Sequence, residues 1–444
     1  MSAPLSNPNG REYLAAVNIG TPPQPFQLAV DTGSGELWIP SIKCPVSICP
    51  YDRFDYTKSS TFRSTAEPFN IEYGRGSANG SYAYETVSFG GTTVVNQKIG
   101  VVTSTEHILG VVRQGRQNNG IMGLGFPGLN SARGVRDDVP FVFRLAADNV
   151  IREPVFSLFL NSPSRPNENG EILLGGIDHD HYSGQLRYVP VVSYTISAGD
   201  VVSPNLGKLA QRPGGMYLYW TVPGQGVATS GGYQKSVGLQ AFVLDTGTTL
   251  TYLPPDVVDG IVRSITSTAR LSATQGVYRV DCGLRKSTDT VEFYLSTSAT
   301  HQVNSTGTVT IQVPVSELII PLNGATPDKA TACMFGIAPA PSELSLSAGQ
   351  TWMLGEGILR SVYTVYDMKK NRVGIAPAKS ISDPPPRKTI KTIETTKTAT
   401  SHIPNSHATA ESASSTQHPS SSISCQPTTW LIMMTCLVGH ALYY

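Results

Sequence analysis

Apolar residues along this chain fall mostly in short runs or in alternation, broken by Gly and Pro. That pattern predicts many short strands joined by turns, a mostly β protein. Phe69 to Phe89 alternates around Tyr73-Gly74-Arg75-Gly76-Ser77-Ala78-Asn79-Gly80, which reads as a β-hairpin with a glycine-rich tip. Helical spacing is best developed over Asp138 to Val150 and Pro255 to Thr266. Two apolar triplets lead into the same tripeptide: Leu28-Ala29-Val30 into Asp31-Thr32-Gly33-Ser34, and Phe242-Val243-Leu244 into Asp245-Thr246-Gly247-Thr248. An aromatic follows seven positions after each Asp (Trp38, Tyr252) and a Pro nine after (Pro40, Pro254). Ile121-Met122-Gly123 and Met353-Leu354-Gly355 form a second echo. Apolar-apolar-Gly suits a buried strand that turns where another backbone passes closely.

A single Asp-Thr-Gly is mainly a turn signal. A turn alone does not require the same apolar run, aromatic and Pro around a second copy. The two Asp stand 214 residues apart (31 to 245), about one lobe at ~100–200 residues per domain. Two similar lobes could each bring one carboxylate to a pseudo-twofold axis, the arrangement of a two-aspartate hydrolase. Peptide hydrolysis takes a proton from water and gives one to the substrate. Two carboxyl groups a hydrogen bond apart share one proton and titrate as a pair, so together they can do both.

With these motifs the chain resembles the pepsin-like aspartic endopeptidases, from about Glu12 to about Pro377. The motifs are Ile19-Gly20-Thr21-Pro22-Pro23-Gln24, Asp31-Thr32-Gly33-Ser34 with Leu37-Trp38-Ile39-Pro40, and Ile71-Glu72-Tyr73-Gly74-Arg75-Gly76-Ser77. Gly175-Gly176-Ile177-Asp178 and Tyr363-Thr364-Val365-Tyr366-Asp367 complete the set. The resemblance implies a bilobal β fold with a central cleft, Asp31 and Asp245 as the catalytic pair, and no cofactor. Thr32, Gly33, Ser34, Thr246, Gly247 and Thr248 would orient the carboxylates through hydroxyls and backbone N–H groups. It also makes the Phe69–Phe89 hairpin a substrate flap, with Tyr73, Gly74, Arg75 and Ser77 at the substrate and Trp38 supporting the tyrosine. Read without the resemblance, Tyr73 is equally a residue packed against a neighbour and Trp38 a core indole. Gly35-Glu36, Arg75 and Glu356-Gly357 depart from the usual pattern. Arg75 either points into solvent or disfavours a basic residue before the scissile bond by like-charge repulsion. Comparing cleavage after Lys or Arg with cleavage after Leu or Phe decides between the two.

The resemblance also pairs Cys44 with Cys49 and Cys282 with Cys333; free buried thiols are the alternative for these four of the six cysteines. The His residues lack metal-ligand spacing, so no metal is expected. Asn79-Gly80-Ser81 and Asn304-Ser305-Thr306 are glycosylation acceptors by pattern. Charged residues make up only 15% of the chain and the formal net charge is +1, which gives no basic surface for nucleic acid. The 42 Gly and 32 Pro agree with short strands and turns.

The lobes are expected at 1–190 and 191–379. Beyond them the composition changes. Residues 380–429 are rich in Ser, Thr, Pro and Lys and read as an extended, O-glycosylated stalk. Residues 430–444 are largely apolar but short of the ~20 needed to span a bilayer. With small residues at Ser420-Ser421-Ser422 and a polar spacer, this tail matches a GPI-anchor signal better than a weak transmembrane segment or a short apolar tail of no consequence. Met1 to Gly10 has no apolar signal-peptide core, and the first strand is expected near Tyr13. Either the chain begins downstream of its natural start, which the cysteines, stalk and tail favour, or it is an unusual cytosolic form.

The sequence therefore predicts a monomeric acid endopeptidase acting on proteins or peptides, favouring apolar residues around the scissile bond. Its place would be extracellular, held at a cell surface or wall by a lipid anchor, as in fungal members, or shed. The rival readings are a pepsin-like binding protein without activity and an adhesin-like wall protein.

Overall fold

The short apolar runs fold as strands. The computed structural model describes residues 1–379 except 9, 75, 110–116, 133–137, 163–169, 198–200, 212–213, 325–326 and 342–351. Arg75, the expected stalk and the expected tail lie outside the described residues.

A thirteen-stranded sheet begins at Arg187–Pro190 and passes through Arg372–Pro377, Val362–Asp367, Val155–Phe159 and Gly170–Leu174. It continues through Ser2–Ser6, Leu14–Ile19, Gln24–Asp31, Ile121–Gly123 and Leu37–Pro40, ending in Thr92–Glu106, Gly76–Phe89 and Arg63–Tyr73. A seven-stranded sheet runs Thr308–Pro314, Thr290–Ser296, Thr221–Thr229, Gln234–Leu244, Trp352–Leu354, Thr251–Leu253, Ile337–Pro339. Four- and two-stranded sheets complete the described β structure.

The repeated motifs occupy the same place in both large sheets. Gln24–Asp31 runs parallel to Ile121–Gly123, with Asp31 opposite Gly123. Gln234–Leu244 runs parallel to Trp352–Leu354, with Leu244 opposite Leu354. The strand after each Asp-Thr-Gly, Leu37–Pro40 or Thr251–Leu253, then pairs antiparallel to the same short strand. The expected close approaches are present. A Cβ on Gly123 would lie 2.5 Å from the carbonyl carbon of Gly35, and one on Gly355 would lie 2.3 Å from the carbonyl oxygen of Leu250. No side chain fits at either point.

The helix expected over Asp138–Val150 is shorter, Phe141–Ala147: Pro140 sits at its N-cap, and Asp148 caps its end with its N–H on the Arg144 carbonyl at 2.9 Å. The second helix, Pro255–Ile265, buries Val257, Val258, Ile261 and Val262 on one face. The first strand is not near Tyr13 but at Ser2–Ser6, where Ala3 and Leu5 point inward and Ser2, Pro4 and Ser6 outward. This is the period-two signal of a strand, too short to stand out in a polar N-terminus. The hairpin tip is also narrower than expected. Tyr73 pairs directly with Gly76, and the residues from Gly76 to Gly80 lie within a strand.

Both expected disulfides are formed, Cys44–Cys49 and Cys282–Cys333. No helix among the described residues is long and apolar enough to cross a membrane.

Candidate active site

Each apolar triplet is an interior strand end, and burying it carries the following Asp inward. Asp31 and Asp245 are both fully buried. Burial of a carboxylate is costly unless hydrogen bonds replace its water, and the two loops supply them in parallel. The Gly33 N–H donates to Asp31 Oδ1 at 2.8 Å and the Ser34 hydroxyl to Asp31 Oδ2. The Gly247 N–H donates to Asp245 Oδ1 at 2.8 Å and the Thr248 hydroxyl to Asp245 Oδ2 at 2.6 Å. The hydroxyl one place after each Gly thus clamps its own carboxylate.

Thr32 and Thr246 act differently from the sequence expectation. Their hydroxyls do not serve the carboxylates but cross to the opposite loop. Thr32 Oγ1 donates to the Leu244 carbonyl at 2.8 Å and accepts the Thr246 N–H at 3.0 Å. Thr246 Oγ1 donates to the Val30 carbonyl at 2.7 Å and accepts the Thr32 N–H at 3.1 Å. Four buried bonds, related by the pseudo-twofold axis, fasten the loops face to face. Their closeness also explains Gly33: a Cβ there would sit 2.7 Å from the Asp245 carboxyl group.

The Asp245 carboxyl is held well above its ordinary range, first by burial and then by the Asp31 carboxyl beside it. The Thr248 hydroxyl and the Gly247 N–H oppose that rise only in part. A pair that retains a proton at one member can accept and donate at one centre, the requirement for general acid–base hydrolysis.

Tyr73 ends the strand Arg63–Tyr73 and is buried; its hydroxyl accepts the Trp38 indole N–H, with the rings 6.4 Å apart. The sequence-predicted partnership of these two residues is therefore present. Gly74 is exposed in the turn, and Ser77 is half-buried in Gly76–Phe89, paired with Glu72 and Glu106. Asn79 lies in that same strand, paired on both sides with Asn70 and Ser104, whereas Asn304 is exposed in a turn.

In the sequence Glu356 stands out only as a departure from the usual pattern. The structure buries it at the start of a short helix, where its N–H bonds the Thr248 carbonyl at 2.8 Å. Burial raises its carboxyl well above the ordinary range; Arg360, with Nη2 at 3.9 Å, opposes this, while Glu12 and Asp245 add to it. Position gave the only signal: a carboxylate immediately after the apolar-apolar-Gly that backs the site.

The fold and site define a bilobal β protein with two carboxyl groups presented by twin loops. The family model "Eukaryotic aspartyl protease" matches residues 12–378. The chain is 30% identical over 381 residues to cathepsin E of Mus musculus, covering 85% of this chain and 83% of the relative. It is 31% identical over 375 residues to gastricsin of Mus musculus (82% and 81%), and 30% over 378 residues to pepsin A-5 of the same organism (84% and 83%). The chain belongs to the eukaryotic aspartyl protease family.

Proposed function

We propose that this aspartic endopeptidase hydrolyses peptide bonds through a water held between Asp31 and Asp245. The pair would share one proton: the ionised member takes a proton from the water, and the protonated member polarises the scissile carbonyl and later serves the leaving nitrogen. The observation that carries this reading is the matched clamping of both carboxyl groups within loops bonded to each other. Acidic operation follows, since the shared proton must be retained.

The flap role of Tyr73 is supported by its place at a hairpin turn and by the Trp38 N–H on its hydroxyl. Closure of this hairpin over an extended peptide suits a preference for apolar residues around the scissile bond. Two disulfides favour an oxidising, extracellular setting. In that setting the exposed Asn304 is a better glycan acceptor than the strand-bound Asn79. The composition of 380–429 and the apolar 430–444 support a stalk and a lipid anchor, on a monomer whose two lobes supply both carboxylates.

The test is hydrolysis of a denatured protein from about pH 3 to pH 7 by the full chain, beside Asp31→Asn and Asp245→Asn. Acidic activity that falls by ~10²-fold or more in each variant supports the reading. Equal activity in either variant, or a folded wild-type protein with none, sinks it and favours a binding role.

A further inference from the structure

Away from the two loops, the structure gathers three side chains that no catalytic argument uses. Glu171 lies in the strand Gly170–Leu174, between Val155–Phe159 and Ser2–Ser6. Asp178 and His181 come from the turn that follows. His181 Nε2 stands 3.1 Å from Glu171 Oε2 and 3.7 Å from Asp178 Oδ2, and the three ligand-type atoms all fall within 4.8 Å of one another. All three residues are half-buried.

We propose that Glu171, Asp178 and His181 form a divalent transition-metal site of the Zn²⁺ class, remote in sequence from both Asp-Thr-Gly loops. Ligands at ~2.0–2.2 Å around a tetrahedral ion stand roughly 3.3–3.5 Å apart, and the two observed separations from Nε2 bracket that spacing. One imidazole with two carboxylates is a donor set that Zn²⁺ accepts, with the fourth position left to water.

The supporting contacts hold the donors in place. The His181 ring stacks flat on Phe159, 4.3 Å between centroids and 7° between planes, and its carbonyl accepts the Lys379 N–H at 2.9 Å. Asp178 Oδ1 accepts the Asp180 N–H at 2.8 Å, which leaves Oδ2 for the cluster, and the Asp178 N–H is bound by the Tyr363 hydroxyl at 2.8 Å. Fixed outer contacts of this kind orient metal ligands and sharpen affinity. The Met1 ammonium is a positive charge near Glu171.

A proton and a metal would compete for the same nitrogen. A bound Zn²⁺ would tie the turn to the strand that carries Glu171.

The experiment is calorimetric titration of the full chain with ZnCl₂ at about pH 7.5, beside His181→Ala and Glu171→Gln. One Zn²⁺ equivalent is expected in the wild type, and its binding should weaken by ~10-fold or more in each variant. Circular-dichroism melts establish that the variants are folded, and Zn²⁺ should raise the melting temperature of the wild type only. Equal Zn²⁺ stoichiometry and affinity in wild type and a folded His181→Ala, or no binding to the wild type, overturns the site.

Discussion

At the scale of single residues, the site depends on placing charge where water is absent. Asp31 and Asp245 receive donors from their own loops, but Glu356 receives only a distant guanidinium at 3.9 Å. Its carboxyl therefore holds its proton in the folded state above the ordinary value of 4.5. The sign follows from linkage: above that value the unfolded chain releases the proton while the native state keeps it, so stability falls as pH rises until the folded carboxyl ionises. The contribution is fully present only in acid. Glu356→Gln removes this proton release while leaving Arg360, Glu12, Asp245 and Tyr13 around it. The variant should match the wild type below about pH 4 and melt higher near neutrality, on the order of 2–4 °C. Thermal melts at several pH values check this; an equal or lower melting temperature for the variant at pH 7 would refute the assignment. Asp245 acts with the same sign, so a wild type more stable in acid is the expected background.

At the scale of elements, the two disulfides close loops of very different length, 5 and 51 residues of separation. In the chain-entropy account the longer loop contributes about 4 kcal/mol and the shorter roughly 2. Replacing Cys282 and Cys333 by Ala should therefore destabilise the protein to denaturant about twice as much as replacing Cys44 and Cys49. Chemical denaturation of the two double variants measures the difference, and equal losses would mean that strain or residual structure outweighs loop closure. Elements defined by their own pattern are legible in the sequence. The helix Pro255–Ile265 carries its apolar face in sequence, and the strands ending at Asp31 and Leu244 carry theirs as triplets. What the sequence hid was set by partners. Ser2–Ser6 is a strand because Gly170–Leu174 lies beside it, and Thr32 turned from its own Asp because the opposite loop offered a carbonyl. The cluster at His181 was equally invisible, since Glu171 reaches it from a separate strand and no ligand motif joins the three positions.

At the scale of the whole molecule, the repeat that announces two lobes does not make them two independent folding units. The strands Val362–Asp367 and Arg372–Pro377, which follow the second Asp-Thr-Gly by more than a hundred residues, pair with Val155–Phe159 and Arg187–Pro190 in the sheet that also contains Asp31. Packing follows the same crossing: Phe156 stacks on Tyr366 at 4.6 Å and meets Trp220 edge-on, while the Trp220 indole N–H bonds the Leu124 carbonyl at 2.8 Å. A polypeptide of residues 1–190 alone would leave one edge of Val155–Phe159 unpaired and Phe156 without either aromatic partner. Unpaired edges and exposed aromatic surface favour association over folding. That fragment should therefore lack a cooperative melt, and addition of residues 191–444 during refolding should restore both the transition and acid hydrolysis. The dyad itself makes the same demand, because each Asp-Thr-Gly loop has its threonine hydroxyl bonded to the other. A sharp, reversible melt from residues 1–190 by themselves would show that the crossing strands are dispensable. The exchange of strands would then serve only to align the two carboxyl groups rather than to hold the first lobe together.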